Sequence, residues 1–380
     1  MSKKYIDRQL FKELQKIKKS ILLIGPRQSG KSTLIKKLKP QKIINLADES
    51  EFVRMASDPD LFKSTVLGCK NVFVDEVQRI PSLLNTIQVL IDDHQILFYL
   101  SGSSARKLKR GQANLLPGRL FTYNISGLTM RELNYEVDLS KALSVGFLPE
   151  PYLEPDIRSA QKLLESYSTT YLKEEIQAEA LTRNLPGFMR FLNVLAEKSG
   201  QILDFTKISN QSKVSRTSVV RFIEIIEDTL LGSRLEVFAL ATEADIIKHP
   251  KFYFFDPGVL NGLIGNFTVS KDRIGNLFEH LIYAQLKNSA MALDANIKIT
   301  YFRTRHDIEV DFIVEWKNKV YAIEAKAGEV QRSDLSSLKI FRDYFPKVEK
   351  CFAVSLKEKK RIIDNIIICN IVDLFRELKM

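Results

Sequence analysis

The sequence predicts an α/β protein of two or three domains. Near the amino end, an apolar run at residues 21–24 passes through a glycine-bearing turn into a helical pattern, and strand-like and helical segments then alternate as far as Ile125. Such alternation is typical of a mainly parallel sheet. A second α/β pattern, with the order helix, three strands, helix and strand, begins near Lys271. The length of 380 residues fits this division.

The charge of the chain favours an anionic partner. The formal net charge is +11, and residues 1–40 carry twelve Lys and Arg against only Asp7 and Glu13. This basic region makes nucleic acid a candidate partner. Part of the surplus can instead serve a bound nucleotide, and lysine-rich faces are often simply solvated, so the region alone does not assign the partner.

The composition argues against several classes of protein. Hydrophobic residues make up 45% of the chain and charged residues 27%, as in ordinary folded domains. Cys69, Cys351 and Cys369 lie too far apart for a metal knuckle, so we expect reduced thiols in a cytoplasmic protein. The sequence starts without an apolar signal core and contains no run as long as a membrane span, so no membrane association is expected.

The strongest motif follows the first predicted strand. Residues 25–32 match the pattern G-x-x-x-x-G-K-[ST], in which successive backbone N–H groups surround phosphates. A chance glycine turn is disfavoured because the required strand and helix flank the motif. Lys31 should reach the β- and γ-phosphates of a nucleoside triphosphate, and Ser32 should ligate Mg²⁺. The residues expected to contact the nucleotide are Gly25, Pro26, Arg27, Gln28, Ser29, Gly30, Lys31, Ser32 and Thr33.

Alternating helices and strands are predicted around this loop. A helix at 5–19 would place Ile6, Leu10, Leu14 and Ile17 on one apolar stripe. The later elements are a strand at 42–46, a helical pair within 49–66, a strand at 71–76, a helix after Pro81, and strands at 96–100 and 121–125.

Polar residues end two of these strands. Asp75 and Glu76 close one apolar run, and Ser101 and Ser103 follow the next. Ligands bind at the carboxyl ends of strands in such sheets, so these residues should lie beside the phosphate loop. Asp75 is expected to bind Mg²⁺, usually through water, and Glu76 to polarise the attacking water. Ser103, or Ser101, is placed to contact the γ-phosphate or to position that water, with ordinary turn chemistry as the alternative.

A basic stretch precedes the strand at 121–125. Its basic residues are Arg106, Lys107, Lys109, Arg110 and Arg119. The order of phosphate loop, Asp-Glu strand, polar strand end and Gly-Arg strand resembles the AAA-type P-loop ATPases. The resemblance implies ATP and Mg²⁺ as cofactors, and a homo-oligomer in which Arg119 reaches the nucleotide of a neighbouring subunit. The implied catalytic residues are Lys31, Glu76, Ser103 and Arg119. An ordinary surface salt bridge is the alternative role for Arg119.

The middle of the chain is predicted to be helical. Prolines within 148–155 indicate a linker, and residues 157–182 show helical patterns. Three further helical patterns, at 188–198, 204–209 and 215–226, resemble a winged helix-turn-helix, which sets a recognition helix into the DNA major groove. Ser215 is the expected N-cap of the third helix. The residues expected to face inward from that helix are Val219, Phe222, Ile223 and Ile226.

Charge leaves the partner of this helix-turn-helix open. Between Phe205 and Ile223 there is no acid, and the basic residues are Lys207, Lys213, Arg216 and Arg221. This pattern favours DNA. Glu224, Glu227 and Asp228 follow at once, however, so a structural or subunit-contacting role is the alternative.

Four charged residues in the last third form a second candidate site. Glu279 lies at the edge of a helical stripe, Asp311 lies in a predicted strand, and Glu324 and Lys326 share a face of the next strand. In this order of elements the constellation resembles the PD-(D/E)xK nuclease fold, although Val310 instead of proline precedes Asp311. The resemblance implies a second Mg²⁺ or Mn²⁺ and a water oriented by Lys326. The alternative is a cluster whose charges only satisfy one another.

Together these patterns resemble the prokaryotic AAA-type ATPases fused to a C-terminal domain of unknown function. The predicted domains are an AAA-type ATPase domain at 1–147, a helical and winged-helix region at 148–265, and a restriction-endonuclease-like α/β domain at 266–380. We expect a DNA-associated ATPase whose nucleotide state controls the nuclease-like module. The alternative is a nucleotide-gated switch that binds DNA or protein through a catalytically inactive nuclease fold. A small-molecule kinase is disfavoured, because nothing after the phosphate loop resembles an acceptor pocket.

Overall fold

The computed structural model describes residues 5–103, 116–171, 184–238, 249–306 and 308–380. The chain divides into two compact units. The first contains Met1–Ser126 with the short pieces Asp228–Leu231 and Met291–Asp294, and the second contains Gly127–Glu227, Gly232–Ala290 and Ala295–Met380. The predicted division into three domains stays a prediction.

The first unit is an α/β layer built on a parallel sheet, as predicted. Its strands are Ser20–Ile24 (β1), Lys42–Asn45 (β2), Asn71–Asp75 (β3), Leu97–Gly102 (β4) and Leu120–Asn124 (β5). They lie in the order β2-β3-β4-β1-β5, and each neighbouring pair is parallel. The α-helices are Phe11–Leu14, Lys31–Lys36, Glu49–Ser57, Pro59–Val66 and Leu83–His94.

Both faces of this sheet are covered by apolar residues. On β1, Leu22 and Ile24 belong to one buried cluster, whereas Ile21 and Leu23 belong to another. Successive side chains of a strand point to opposite faces, so the two clusters lie on the two sides of the sheet. A strand buried on both faces requires the continuous apolar run that the sequence shows at 21–24.

The predicted helix at 5–19 is wrong over most of its length. Only Phe11–Leu14 is helical, although Leu10 and Leu14 are buried as expected. The guanidinium of Arg8 instead donates hydrogen bonds to the backbone carbonyls of Ser29, at 2.7 Å, and Ser126, at 2.9 Å. These tertiary contacts outweigh the local preference for helix.

The second unit contains a six-stranded mixed sheet and a separate two-stranded ribbon. The ribbon strands are Gly232–Leu235 (β6) and Lys251–Phe254 (β7), and the sheet strands are Lys298–Arg303 (β8), Glu309–Trp316 (β9), Lys319–Lys326 (β10), Lys350–Ser355 (β11), Arg361–Ile363 (β12) and Ile366–Asn370 (β13). The sheet order is β12-β13-β11-β10-β9-β8. The two strands that carry Asp311 and Glu324, β9 and β10, form an antiparallel hairpin, with Phe312 paired to Ile323.

Helices of the second unit precede, cover and follow this sheet. They are Leu139–Val145, Pro149–Leu153, Ile157–Ser166, Leu185–Glu197, Phe205–Ser212, Arg216–Asp228, Pro257–Ile264, Ile274–Ala292, Ser336–Tyr344 and Ile371–Leu378. The order helix, three strands, helix and strand from residue 274 agrees with the prediction, whereas β12, β13 and the last helix were not predicted. None of the helices formed by the described residues combines the length and apolarity that a bilayer crossing requires.

The linker predicted at 148–155 is instead a short packed helix. Pro149 begins the helix Pro149–Leu153, a position where its missing N–H costs nothing. Tyr152 is buried and stacks on Phe147 with ring centroids 5.5 Å apart. The prolines therefore start a helix here. The helical patterns at 172–182 lie outside the described residues.

The three helices of the predicted helix-turn-helix are present. Ser215 accepts a hydrogen bond from the backbone N–H of Ser218 at 3.1 Å, as expected of an N-cap. The inward-facing residues of the third helix, Val219, Phe222, Ile223 and Ile226, are all buried. The antiparallel ribbon of β6 and β7 follows these helices.

Candidate functional site

The phosphate loop is shaped by two glycines. A Cβ atom on Gly25 would lie 2.1 Å from the carbonyl oxygen of Ile125, so only glycine fits at the end of β1. Gly30 has a φ of 91°, a left-handed conformation that glycine adopts without strain. The helix Lys31–Lys36 begins directly after it. The strand, turn and helix that the motif requires are therefore all in place.

Lys31 is bound to its own loop. Its ammonium donates hydrogen bonds to the carbonyl oxygens of Gly25, at 2.9 Å, and Pro26, at 3.0 Å, and the residue is only 4% exposed. A buried ammonium needs such acceptors. Phosphate oxygens can replace these two carbonyls when a nucleotide binds.

Arg8 supports the phosphate loop from outside the motif. Its hydrogen bond to the Ser29 carbonyl fixes the loop, and its bond to the Ser126 carbonyl ties the loop to the segment after β5. Arg8 is buried, so these contacts are made away from water. The sequence motif did not indicate this residue, which belongs to the basic region at the front of the chain.

Asp75 and Glu76 lie at the same sheet edge as the phosphate loop. β4 separates β1 from β3, and Ser101 on β4 pairs with Leu23 on β1. The Ser101 hydroxyl donates to the Asp75 carboxylate, and the backbone N–H of Glu76 donates to the same hydroxyl at 3.1 Å. Ser101 therefore connects the two acidic residues to the strand next to the loop.

Glu76 has a strained backbone. Its φ of 57° and ψ of 45° are left-handed, which costs about 1 kcal/mol or more for a residue with a side chain. Such strain persists when the surroundings fix a side chain in a required direction. Here the fixed side chain is the one expected to polarise water.

Gln78 joins Glu76 to Ser103. Its side-chain amide donates to a Glu76 carboxylate oxygen, and it also donates to the Ser103 hydroxyl at 3.0 Å. Gln78 is 3% exposed, and its buried amide oxygen has no hydrogen-bond partner among the described residues. Sequence reasoning missed this residue, although it lies only two positions after Glu76.

Arg119 lies at the amino ends of the parallel strands, whereas the phosphate loop lies at their carboxyl ends. It immediately precedes β5, whose first residue, Leu120, pairs with Ser20 at the start of β1. The Arg119 Nε donates to both carboxylate oxygens of Asp92, at 2.7 and 2.9 Å. The arginine side chain lowers the pKa of the Asp92 carboxyl. Within one chain, Arg119 is thus engaged in an ion pair away from the loop. The other predicted basic residues, Arg106, Lys107, Lys109 and Arg110, lie outside the described residues.

The four nuclease-like residues come together in the second unit. The backbone N–H of Ala325 on β10 donates to Asp311 Oδ2 at 2.8 Å, which places Asp311 of β9 beside Glu324. Lys326 donates to Glu324 Oε1 at 2.9 Å. Glu324 is 6% exposed, and within the described parts of the chain its other carboxylate oxygen is buried without a hydrogen-bond partner. Glu279 reaches the cluster from the helix Ile274–Ala292.

Lys251 occupies the middle of this cluster. Its Nζ lies 3.0 Å from Glu279 Oε1, 2.5 Å from Glu309 Oε1 and 4.0 Å from Asp311 Oδ1. The Tyr253 hydroxyl also donates to Glu279. Neither Lys251 nor Glu309 was predicted as part of the site, and Lys251 lies outside the nuclease-like pattern altogether.

Burial and crowding shift the pKa values of this cluster. Burial raises the pKa of Asp311 well above its usual range, and the neighbouring Glu324 and Glu279 raise it further. Burial also raises the pKa of Glu324, although Lys326 opposes this change. For Lys251, burial works against the charged form, but Glu279, Asp311 and Glu309 outweigh it and raise the pKa.

The cluster has suitable donors for a divalent ion but not a suitable arrangement. Mg²⁺ and Mn²⁺ prefer carboxylate oxygens as ligands, and Glu324 offers one that makes no hydrogen bond to any other described residue. Within the described parts of the chain, however, no three Asp, Glu, His or Cys side chains are placed to hold a metal ion. The ammonium of Lys251 lies between the carboxylates that would have to converge.

The basic residues of the predicted helix-turn-helix lie on its surface. Lys207, Lys213 and Arg216 are exposed, as is Arg221 on the third helix. Of the acids that follow, Glu227 forms an ion pair with Arg234 at 2.7 Å, whereas Glu224 is exposed. The positive charges are thus accessible to an anionic partner.

Comparison with known families divides the chain into three parts. Residues 17–134 match a family described as "AAA domain". Residues 136–270 match "Domain of unknown function (DUF8612)", and residues 274–374 match "Domain of unknown function (DUF4143)". The first match and the phosphate-loop geometry agree on an AAA-type ATPase domain in the first unit.

Individual proteins add little to these matches. The uncharacterized protein Rv2008c of Mycobacterium tuberculosis is 27% identical over 330 residues, which cover 84% of this chain and 73% of that protein. A structure of two Pif1 helicases at forked dsDNA aligns with 45% of this chain and about half of its own, 54%, at 11% identity and a TM-score of 0.27. The replication initiator DnaA with AMPPCP and single-stranded DNA aligns with 58% of this chain and 85% of its own, at 14% identity and a TM-score of 0.25. Such TM-scores are too low to indicate a shared fold.

Proposed function

We propose that this chain is an ATP-hydrolysing AAA-type ATPase that associates with DNA, acts as a homo-oligomer in the cytoplasm, and controls its nuclease-like module through its nucleotide state. One observation carries the ATPase assignment. The phosphate loop, Asp75 and Glu76 converge at one sheet edge, where Ser101 and Gln78 hold the two acids. The AAA-domain match over residues 17–134 supports the same class.

Each residue at this end of the sheet has a separate role in the proposed reaction. Lys31 exchanges the Gly25 and Pro26 carbonyls for phosphate oxygens. Ser32 and Asp75 would hold Mg²⁺, since hydroxyl and carboxylate oxygens suit this ion, and Mg²⁺ would neutralise charge on the phosphates. Glu76, oriented by Gln78, accepts a hydrogen bond from the attacking water, and Ser103 lies beside it.

The DNA and oligomer parts of the proposal rest on separate features. Lys213, Arg216 and Arg221 are exposed on or beside the third helix of the helix-turn-helix, where phosphates can reach them. Arg119 lies at the amino ends of the strands, away from its own phosphate loop. This position suits an arginine that contacts the nucleotide of a neighbouring subunit.

Phosphate release measured with and without duplex DNA tests this proposal. Wild-type protein should hydrolyse ATP. DNA should change the rate of hydrolysis, because the proposal couples DNA binding to ATP hydrolysis within one chain. Lys31→Ala is the matched control and should be inactive under both conditions. A wild-type rate equal to that of Lys31→Ala would refute the ATPase proposal, and a rate insensitive to DNA would remove the DNA part.

The second candidate is a nucleotide-gated switch with a catalytically inactive nuclease fold. The observation that favours it is the set of ion pairs that Lys251 and Lys326 form with the carboxylates of the cluster. Incubating the protein with linear, circular and single-stranded DNA, with Mn²⁺ and with or without ATP, distinguishes the candidates. Cleavage that Asp311→Ala abolishes supports an active module, and intact DNA throughout supports the switch.

A further inference from the structure

Lys251 is more deeply embedded than an ordinary surface lysine. Its side chain is 4% exposed, and it lies at the start of β7, outside the matched family region 274–374. The Nζ atom contacts carboxylates from two different elements, Glu279 on the helix Ile274–Ala292 and Glu309 on β9. The nuclease-like part of the chain therefore receives a buried cation from the segment that precedes it.

This cation lies among the carboxylates that a divalent ion would have to bring together. A metal bound by Glu279 and Asp311 needs oxygens at about 2.0–2.6 Å. Lys251 Nζ lies 3.0 Å from Glu279 and 4.0 Å from Asp311, which are distances of an ammonium with carboxylates around it. A metal ion and this ammonium cannot occupy the same space, and like charges at such separations repel strongly in a buried site.

A buried group of carboxylates also requires some positive charge. Glu279, Glu309, Asp311 and Glu324 lie together, and isolated buried carboxylates are very costly. In a metal-dependent site the ion supplies the compensating charge. In this site Lys326 pairs with Glu324, and Arg303 pairs with Glu309 at 2.7 Å. Lys251 is the cation in contact with Glu279 and Glu309, and it lies 4.0 Å from Asp311.

We propose that Lys251 is a built-in counter-cation that takes the place of a divalent ion in the carboxylate cluster of the second unit. The cluster then folds and stays balanced without metal, and removing the lysine charge converts it into a metal site. This inference rests on the second candidate function, a module that does not cleave DNA, and does not depend on ATP hydrolysis.

Mn²⁺ binding to the nucleotide-free, full-length protein tests the proposal. Electron paramagnetic resonance of free Mn²⁺ and calorimetry are applied to the wild type, K251M, D311N and the K251M/D311N double variant. Methionine keeps the length of the lysine side chain and removes its charge. The wild type and D311N should bind Mn²⁺ equally weakly. K251M should gain one site at least about 100-fold tighter, since a buried like charge is removed, and the double variant should lose it.

Each outcome of this experiment decides the proposal. A wild-type Mn²⁺ site that D311N abolishes overturns it, as does a folded K251M with no gain in affinity. If K251M does not fold, the Mn²⁺ affinities of the wild type and D311N still test the proposal. Equal affinities support it, and Mn²⁺ binding that depends on Asp311 refutes it. Phosphate release by the wild type is measured in parallel, and its absence would refute the ATPase proposal while leaving the metal comparison valid.

Discussion

Lys31 and Glu76 act at different stages of the proposed reaction. Lys31 stabilises phosphate charge in the ground state and the transition state alike, whereas Glu76 acts on the attacking water. Lys31→Ala should therefore abolish ATP binding. Glu76→Gln should keep ATP binding and lower hydrolysis by about 10²–10⁴-fold, the usual contribution of a general base. Equilibrium binding of a fluorescent ATP analogue and steady-state phosphate release measure the two effects, and normal turnover in Glu76→Gln would refute its role.

The candidate residues that the sequence could predict are those with a fixed local pattern. The phosphate loop and the Asp75-Glu76 strand end are recognisable because the chemistry needs these residue types at this spacing. Gln78, Arg8 and Lys251 have no such pattern. Each acts through a contact that only the folded chain creates, such as the bond from Arg8 to Ser126, 118 positions away.

At the scale of single elements, local patterns predicted strands better than chain ends and linkers. The apolar run of β1 and the strands β9 and β10 could be predicted from periodicity and length alone. The helix predicted at 5–19 failed because Arg8 gains tertiary hydrogen bonds that a helix would forgo. The linker failed because proline is as suitable for the first turn of a helix as for a loop. The contacts of Arg8 are not visible in the sequence, and a proline alone does not distinguish a helix start from a loop.

The basic residues on and beside the third helix of the predicted helix-turn-helix allow a test of DNA binding. Replacing Lys213, Arg216 and Arg221 together by Ala should weaken DNA binding and make its salt dependence shallower, by about one unit of slope for each residue that meets a phosphate. The measurement is duplex DNA affinity over a series of salt concentrations. The matched control is a triple Ala variant of Lys12, Lys16 and Lys18. These lysines are also exposed, and replacing them removes the same number of positive charges. A larger loss of DNA affinity in the control variant would indicate that DNA binds the amino-terminal region instead.

We expect His280 to make the second unit less stable in acid. It lies buried on the helix Ile274–Ala292, with its ring nitrogens 2.7 Å from the Phe254 carbonyl and 3.3 Å from the Ser199 hydroxyl. Burial lowers the pKa of His280 to about 4. The unfolded chain therefore takes up a proton near pH 6.5, before the folded chain does, and stability falls as the pH drops from 6.5 towards 4. At about 1.4 kcal/mol per pKa unit, the loss amounts to ~3 kcal/mol.

His280→Gln should remove this acid-dependent loss while keeping a donor and an acceptor. The single tryptophan, Trp316, lies on β9 of the second unit, so its fluorescence during urea unfolding reports on that unit. The free energy of unfolding of the variant is subtracted from that of the wild type at each pH. This subtraction cancels the contributions of other titrating groups such as Asp256, whose burial raises its pKa to about 6. A difference that does not change between pH 7 and pH 4.5 would contradict the prediction.

At the scale of the whole molecule, the proposed oligomer depends on where Arg119 acts. In one chain it pairs with Asp92 at the sheet edge away from the phosphate loop. If Arg119 serves the nucleotide of a neighbouring subunit, Arg119→Ala should lower hydrolysis by about 10³-fold or more and leave ATP affinity unchanged. Wild-type specific activity should then rise steeply with protein concentration, because the complete site forms only on assembly.

Asp92→Asn provides the control that separates this role from a structural ion pair. A partly exposed ion pair contributes little to stability, at most about 1 kcal/mol, so losing it alone should hardly affect turnover. If Arg119 acts in trans, Asp92→Asn should retain activity while Arg119→Ala loses it, and mixing Arg119→Ala with Glu76→Gln should restore part of the hydrolysis, since each variant supplies what the other lacks. Equal losses in the two single variants would instead assign Arg119 to the ion pair. A constant specific activity in a monomeric protein would exclude the role in trans.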